Sequence, residues 1–364
     1  MAERRSALVT VSGSIPPDLD SQIEAGHRPR SDYVEIARAL RVVDFHPDIV
    51  DVTAALAATG RLGRVLHRIA GAGPLLSWYC FRRRRRYEAI LTDGEQVGIP
   101  YALLCRVFGR GAARLTMIVH ILSVPKKARM IAWFRLAGLI DRYVVYSSRQ
   151  REFINHRLGV PLDRITLSTF MVDTRFFDPA VPDVQPRRMI CSAGLERRDY
   201  DTLIDAVDGL DVEVVIAAAS PWSKQADSTT GRSLPANVEI RRLDLFELRD
   251  LYAAAELLVM PLHEVDFQAG ITTILEAMSM GLPVVCTRTA GQTDTVVDGA
   301  TGRYVPVGDT AALRVAIEAL LADPDTTGNL GGSARAWATE HADITRYAAR
   351  LAELVIDQTA ARTR

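Results

Sequence analysis

The residues best suited to chemistry lie between Asp266 and Cys286, where Asp266-Phe-Gln-Ala-Gly-Ile-Thr-Thr-Ile-Leu-Glu276 runs into Ala-Met-Ser-Met-Gly-Leu-Pro-Val-Val-Cys286. This stretch reads as a glycine-containing loop, a helix start, a short helix and a buried strand. A helix N-terminus leaves backbone N–H groups unpaired and carries partial positive charge. Gly270, Ile271, Thr272 and Thr273 therefore offer amides to a diphosphate, and glycine at 270 lets the backbone come close to it. Glu276 follows Thr273 by three residues, and that spacing has two readings. In one, Thr273 caps the helix and Glu276 reaches back to it as a capping box. In the other, the two oxygens of the carboxylate accept hydrogen bonds from the vicinal hydroxyls of a ribose.

Other candidates are spread through the first half. His120 ends the apolar run Leu115-Thr-Met-Ile-Val119, at the carboxyl end of a strand, where open α/β sheets present functional side chains. Asp93-Gly-Glu95 follows the run Ala89–Thr92 and reads either as a contact to an acceptor hydroxyl or as a solvated turn. Arg82, Arg83, Arg84, Arg85 and Arg86 follow Leu75-Leu-Ser-Trp-Tyr-Cys-Phe81. Five consecutive bases cannot share one helical face, so some of them are simply solvated. Beside aromatic anchors, and with Lys126, Lys127 and Arg129, the rest suit an anionic membrane surface or a phosphorylated soluble acceptor. No base-reading motif accompanies them, which argues against nucleic acid.

The charge distribution points the same way. Residues 1–180 hold 27 Lys+Arg against 17 Asp+Glu, residues 181–364 hold 17 against 27, and the whole chain is neutral. The first half is thus expected to meet something anionic. Cys80, Cys105, Cys191 and Cys286 are scattered in apolar sequence with no C-x-x-C pair, so they read as small buried hydrophobes and not as metal ligands. No apolar run approaches the ~20 residues of a membrane span. The N-terminal residues lack a signal-peptide layout, which gives the expectation of a cytoplasmic location.

Strand-like runs at Leu8–Val11, Ala89–Thr92, Leu115–Val119, Tyr143–Tyr146 and Ile165–Leu167 alternate with helical patterns. Met189–Cys191, Val212–Ala217, Leu257–Met260, Val284–Cys286 and Tyr304–Val305 repeat the alternation. Two doubly wound, mostly parallel Rossmann-like sheets follow, facing a cleft. The proline-rich stretch 177–186 is the expected hinge. It gives a first domain over 1–178, a second over 187–345, and a C-terminal helix over 346–364 that packs back towards the first.

Glu276-Ala-Met-Ser-Met-Gly-Leu-Pro283, with Gly291-Gln-Thr-Asp-Thr-Val-Val-Asp-Gly-Ala-Thr-Gly-Arg-Tyr-Val-Pro306, resembles the donor-binding half of retaining family 4 glycosyltransferases. The likeness is strong over 189–310 and weak before 115. It implies a GT-B fold, a nucleotide-diphosphate sugar donor, transfer with retention and no required metal or other cofactor. Glu276 matches the second Glu of the family's E-x7-E motif and is thereby implied to hold the ribose. The first Glu falls on Gln268, which faces the donor sugar in this resemblance but supplies an amide where the family has a charge. Arg198 takes the place of a diphosphate-binding Lys after Gly194, with Arg197 as the neighbouring option, or the two form a solvated pair. The base is implied to sit near Arg242–Tyr252.

His120 is implied to lie close to the donor sugar, and Gly13 to belong to a loop beneath the acceptor and the donor phosphate. Gln268, His120 and Arg198 then act in catalysis. Glu276, Gly194, Arg197 and residues 270–273 bind the donor, while Gly13, Asp93 and Glu95 lie on the acceptor side. Two rival readings are a non-catalytic nucleotide-sugar-binding subunit, motivated by Gln268, and a nucleotide-sugar epimerase of the same fold.

Overall fold

The computed structural model describes residues 5–218 and 233–360. Among them are two six-stranded, entirely parallel sheets. The first holds β1 (Ser6–Thr10), β2 (His46–Val50), β3 (Ala89–Thr92), β4 (Arg114–Val119), β5 (Arg142–Val145) and β6 (Ile165–Leu167), in the order β2-β1-β3-β4-β5-β6. The second holds β7 (Met189–Ala193), β8 (Glu213–Ala217), β9 (Val238–Arg241), β10 (Leu257–Met260), β11 (Val284–Thr287) and β12 (Gly302–Val305), in the order β12-β11-β10-β7-β8-β9. Both are doubly wound Rossmann-like sheets. Their central strands are largely apolar, because helices cover both faces. Ala89–Thr92, Leu257–Met260 and Val284–Thr287 are buried at every residue.

Two strands had no counterpart in the sequence reading. β2 and β9 are both edge strands, each paired on one side only. β2 carries Pro47, which lacks a donor and is tolerated where no second neighbour needs one. β9 is Val-Glu-Ile-Arg, too short and too polar to stand out.

The chain divides into two compact units. One comprises the residues up to Ser168 together with those from Ile344 onward, and the other is Thr169–Asp343. The division therefore precedes the proline-rich stretch where the hinge was expected. Val172, Phe176 and Phe177 are the reason, since all are buried in the core of the second unit. The Ser279 hydroxyl also donates to the Phe177 carbonyl at 2.6 Å, and Arg335 pairs with Asp178 at 2.8 Å.

The helix Ile344–Ala360 packs on the helix Asp32–Val42 of the first unit. Its Tyr347 hydroxyl meets that of Tyr146 at 2.7 Å, and its Gln358 accepts from the Thr116 hydroxyl at 3.1 Å. All four cysteines are buried and unpaired. No described helix is long and apolar enough to cross a membrane.

Candidate active site

In the second unit, loops at the carboxyl ends of β7 and β10 enclose a cavity of about 440 Å³. Arg198, Gln268, Gly270, Thr273 and Glu276 line it, as do Gly194, Ile271 and Thr272. Leu243, Leu245, Leu248 and Phe267 give it an apolar wall. The three leucines fall in the 242–252 segment where the base was expected.

The helix Ile271–Ser279 starts at this cavity, and Gly270 makes the start possible. Gly270 is the N-cap with φ +77°, in the left-handed region that glycine enters without a Cβ clash. A Cβ there would lie 2.7 Å from the Met260 sulfur. No side chain caps the helix, so the Thr273–Glu276 capping box does not form. Thr273 is already the third helical residue, and the first-turn amides have no partner within the helix. A capping box does form one helix earlier, between Asp244 and Glu247, with both bonds at 2.7–2.9 Å. The loop before Gly270 is braced from behind. Gly291 N–H donates to the Val265 carbonyl at 2.9 Å, and the Gln292 amide donates to the Ala269 carbonyl at 3.0 Å.

Glu276 therefore turns elsewhere. It accepts a hydrogen bond from the Tyr252 hydroxyl at 3.1 Å, and burial pushes its carboxyl up to about 7 against that bond. An acid held so near neutrality, with room beside it, is poised to take two hydroxyl donors once ionised. Tyr252 closes the segment where the base was expected, but its bond to Glu276 was not foreseen. It lies on the helix Leu245–Ala254, and its aromatic spacing alone reads as core.

Arg198 is the second unusual group. Only 6% of it is exposed, and its Nε and one terminal nitrogen donate to the carbonyls of Ala193 (2.9 Å) and Glu196 (2.7 Å). Those partners are neutral, and burial holds its pKa below the ordinary arginine value. Its other terminal nitrogen lies beside both Gly194 and Gly270, where an added Cβ would come within 2.6 and 3.3 Å of it. A buried guanidinium facing two glycine backbones and a helix N-terminus has the chemistry to bind an anion. Arg197 is different. It is exposed, with φ +58°, and its carbonyl accepts from His263 N–H at 3.1 Å, so it lies outside the cavity lining.

Gln268 lines the cavity and donates to the Thr295 hydroxyl at 3.5 Å. Its side-chain oxygen is buried without a protein partner. Glu264, the nearest alternative carboxylate, is committed to the Ala290 amide at 2.8 Å.

In the first unit, His120 follows β4 and contacts Asp93 Oδ1 through Nε2 at 3.3 Å. Burial acts to lower its pKa, but the bond and charge of Asp93, with Glu95 and Asp32, raise it above the ordinary histidine value. Asp32, which the sequence reading passed over, shares with Asp93 a small, mostly apolar pocket at the ends of β1, β3 and β4. Burial and the neighbouring Asp93 raise its pKa to about 6. Asp32 begins a helix, and acids there are ordinarily read as helix-stabilising, so nothing in the sequence singled it out.

One acceptor-side expectation needs correcting. Glu95 is 1% exposed and accepts from the His120 and Ile121 amides, both at 3.1 Å, and from the Lys127 ammonium. It fixes the strand end that carries His120 and is shielded from any ligand. Lys127 is correspondingly withdrawn from the basic surface. Gly13 has open space around it, and its carbonyl accepts from Val52 N–H at 3.2 Å.

The matches to known proteins concentrate on the cavity-bearing unit. Residues 186–323 match a family model. Its description is Glycosyl transferases group 1. Over 214 residues, 52% of this chain, the sequence is 30% identical to a GDP-mannose-dependent alpha-(1-6)-phosphatidylinositol monomannoside mannosyltransferase of Mycolicibacterium smegmatis. Over 158 residues, 41% of this chain, it is 31% identical to a D-inositol 3-phosphate glycosyltransferase of Arthrobacter. The chain spans 56% of the first relative's length and 34% of the second's. Among solved structures, Anabaena Alr3699/HepE in complex with UDP and glucose superposes with a TM-score of 0.68 at 15% identity, covering 97% of this chain and 100% of that one. That likeness concerns the fold, which is the GT-B pair of Rossmann-like sheets. The group 1 match contains every residue that the second-unit cavity uses.

Proposed function

We propose that this protein is a glycosyltransferase that moves a hexosyl group, with retention, from a nucleotide-diphosphate sugar to an anionic acceptor that is lipid-linked or phosphorylated. One observation carries the reading: buried Arg198, with only neutral oxygens as partners, shares one cavity with an uncapped helix N-terminus and the Glu276 carboxyl. The first two match a diphosphate and the third a ribose.

In the reaction, the bond between the anomeric carbon and the diphosphate oxygen breaks while the acceptor oxygen bonds to that carbon. The acceptor proton leaves with the departing phosphate. Negative charge grows on the diphosphate, and the amides of 271–273 with Arg198 stabilise it without reorganising. Ionised Glu276, held by Tyr252, anchors the ribose. The Gln268 amide oxygen, which has no protein donor, accepts from a sugar hydroxyl. His120 and Asp93 are the first unit's candidates for an acceptor hydroxyl. Both curated relatives are named for transfer to inositol-containing phosphorylated molecules, which favours an acceptor of that charge.

Gln268 keeps the non-catalytic subunit alive as a second reading, because it removes a charge expected beside the sugar. The discriminating experiment follows nucleoside diphosphate release by mass spectrometry. Purified protein is incubated with a panel of UDP- and GDP-sugars, with and without phosphorylated acceptors or bacterial lipid extract. Release that Glu276→Ala abolishes supports the transferase, and binding without turnover under every condition supports the subunit. No binding at all overturns the donor site.

A further inference from the structure

The first unit carries a surface that the chemistry above leaves unused. Residues 52–87 contain no Asp or Glu but eight arginines: Arg61, Arg64, Arg68 and Arg82 to Arg86. They form two helices, Val52–Ala70 and Ala72–Arg83, that pack on each other. The first breaks at Gly60 (φ +60°, ψ −138°) and resumes at Arg61. From there Leu62, Val65 and Ile69 fall at helical spacing along one stripe and are 59%, 53% and 79% exposed. Arg61, Arg64 and Arg68 form the adjoining stripe, also exposed.

A soluble helix turns its apolar stripe inward, and this segment presents an apolar stripe outward with arginines beside it. The neighbouring helix completes the face. Arg82, Arg83 and Arg86 converge with Leu62 and Trp78 on a groove of about 490 Å³. Arg82 stacks over Trp78 at 5.7 Å and Arg83 over Tyr79 at 3.9 Å, which preorders both. Arg84 is turned away, stacked on Phe81 at 3.7 Å.

We infer that this face is a docking surface for an anionic phospholipid bilayer. Leu62, Val65 and Ile69 enter the boundary between headgroups and acyl chains, and the groove formed by Arg82, Arg83 and Arg86 takes a lipid phosphate. Apolar insertion and arginine–phosphate contact together are what interfacial helices use. Nucleic acid would employ the arginines but gains nothing from exposed aliphatic side chains. The surface lies wholly in the first unit, and its binding is measurable without sugar transfer, so its fate is separate from that of the proposed function.

Flotation with vesicles of phosphatidylcholine alone, or with about one-third phosphatidylglycerol, tests the inference. The parent protein should float with the anionic vesicles only, and added salt should weaken the association. Arg82→Gln/Arg83→Gln/Arg86→Gln should weaken it about 100-fold, at about fivefold per arginine. Leu62→Ser/Val65→Ser/Ile69→Ser should weaken it at least about tenfold. All six side chains lie at the surface or the groove, and circular dichroism with a melting curve confirms folding. An Ile69→Cys protein carrying an environment-sensitive dye should show blue-shifted emission on anionic vesicles, independently of both triple variants. Failure to float with anionic vesicles overturns the inference. So does an aliphatic variant that binds like its parent, or tight binding to duplex DNA that only the arginine variant loses.

Discussion

The two units each hold a carboxyl whose pKa is raised, and they do so for different ends. In the second, Glu276 is pushed to about 7 by burial, with Tyr252 as its donor and no carboxylate as neighbour. In the first, Asp32 is pushed to about 6 by burial and by Asp93, while the raised imidazole of His120 stands alongside. The first arrangement leaves hydrogen-bond acceptors open in a 440 Å³ cavity. The second pairs His120 with Asp93 and leaves Asp32 beside a like charge, around a pocket of about 20 Å³, room for roughly one water. A site built for a ligand keeps polar groups unsatisfied, whereas His120 and Asp93 must exchange part of their own contact to meet an acceptor hydroxyl.

The largest effects should therefore come from the second unit. Arg198→Ala removes the cation but leaves the glycine backbones and the helix end that face it. Loss of a buried charge contact costs about 2–5 kcal/mol, so nucleotide-sugar affinity measured calorimetrically should fall about 30-fold to several thousand-fold. Arg198→Lys should recover only part of this, because a point charge cannot supply the planar fork. Glu276→Ala should lose about 100-fold or more, since two hydrogen bonds to a charged acceptor disappear at about 1.5–3 kcal/mol each. If either variant bound normally, the contrast between the units would collapse.

That contrast also explains what could be read from the sequence. The second-unit cavity draws on two short segments, 194–198 and 267–276, whose glycines, helix start and strand lie next to one another in the chain. Local pattern was enough to find the glycine, the helix start and Glu276, while Arg198 and Gln268 came from the family resemblance. It misjudged the Thr273–Glu276 spacing as a possible capping box because the decisive fact, the left-handed N-cap at Gly270, is conformational. Residues 32, 93 and 120 meet only through the order β2-β1-β3-β4, and no pattern reports such a meeting. Glu95 misled for the same reason, as its burial depends on the amides at 120 and 121 and on Lys127. The parallel sheets were legible through their apolar central strands. Of the four edge strands, β6 and β12 were read and β2 and β9 were not, since one carries a proline and the other is short and polar.

The pH response gives a sharper comparison. In the proposed donor site, ionised Glu276 is the form that would accept from both ribose hydroxyls, so nucleotide affinity should rise with pH and level off above about 7. Glu276→Gln should flatten that rise, as titration calorimetry across pH 5–9 would show. Stability of the empty protein should run the other way. A carboxyl whose folded pKa is raised holds its proton longer folded than unfolded, so stability falls as pH climbs from the ordinary 4.5 towards 7.

Asp32→Asn offers the matching test in the first unit. Asp32 penalises the folded state as pH rises from the ordinary 3.8 towards 6, so the variant should gain most above that range. His120 opposes it. Its folded pKa is raised, so its pairing with Asp93 contributes below the ordinary 6.5 and fades as pH rises through the folded value. Melting temperatures of Asp32→Asn and His120→Asn should consequently diverge from the parent in opposite directions near pH 6. Parallel shifts would mean that the cluster is not coupled as described.

The smallest effect, and the most diagnostic for catalysis, is expected of Gln268→Glu. Its side-chain oxygen already lacks a protein donor, and its side-chain nitrogen donates to the Thr295 hydroxyl at 3.5 Å. A carboxylate there must be desolvated with little compensation, so the folded state should lose about 1–3 kcal/mol in urea unfolding. Against this stands a charge that acts where positive character develops at the anomeric carbon. That interaction is made mainly in the transition state, so kcat should rise by up to about tenfold with KM nearly constant. A change confined to KM would assign residue 268 to ground-state recognition of the sugar. A carboxylate that costs stability and changes neither constant would remove residue 268 from the site, leaving the cavity to Arg198, Glu276 and the helix end.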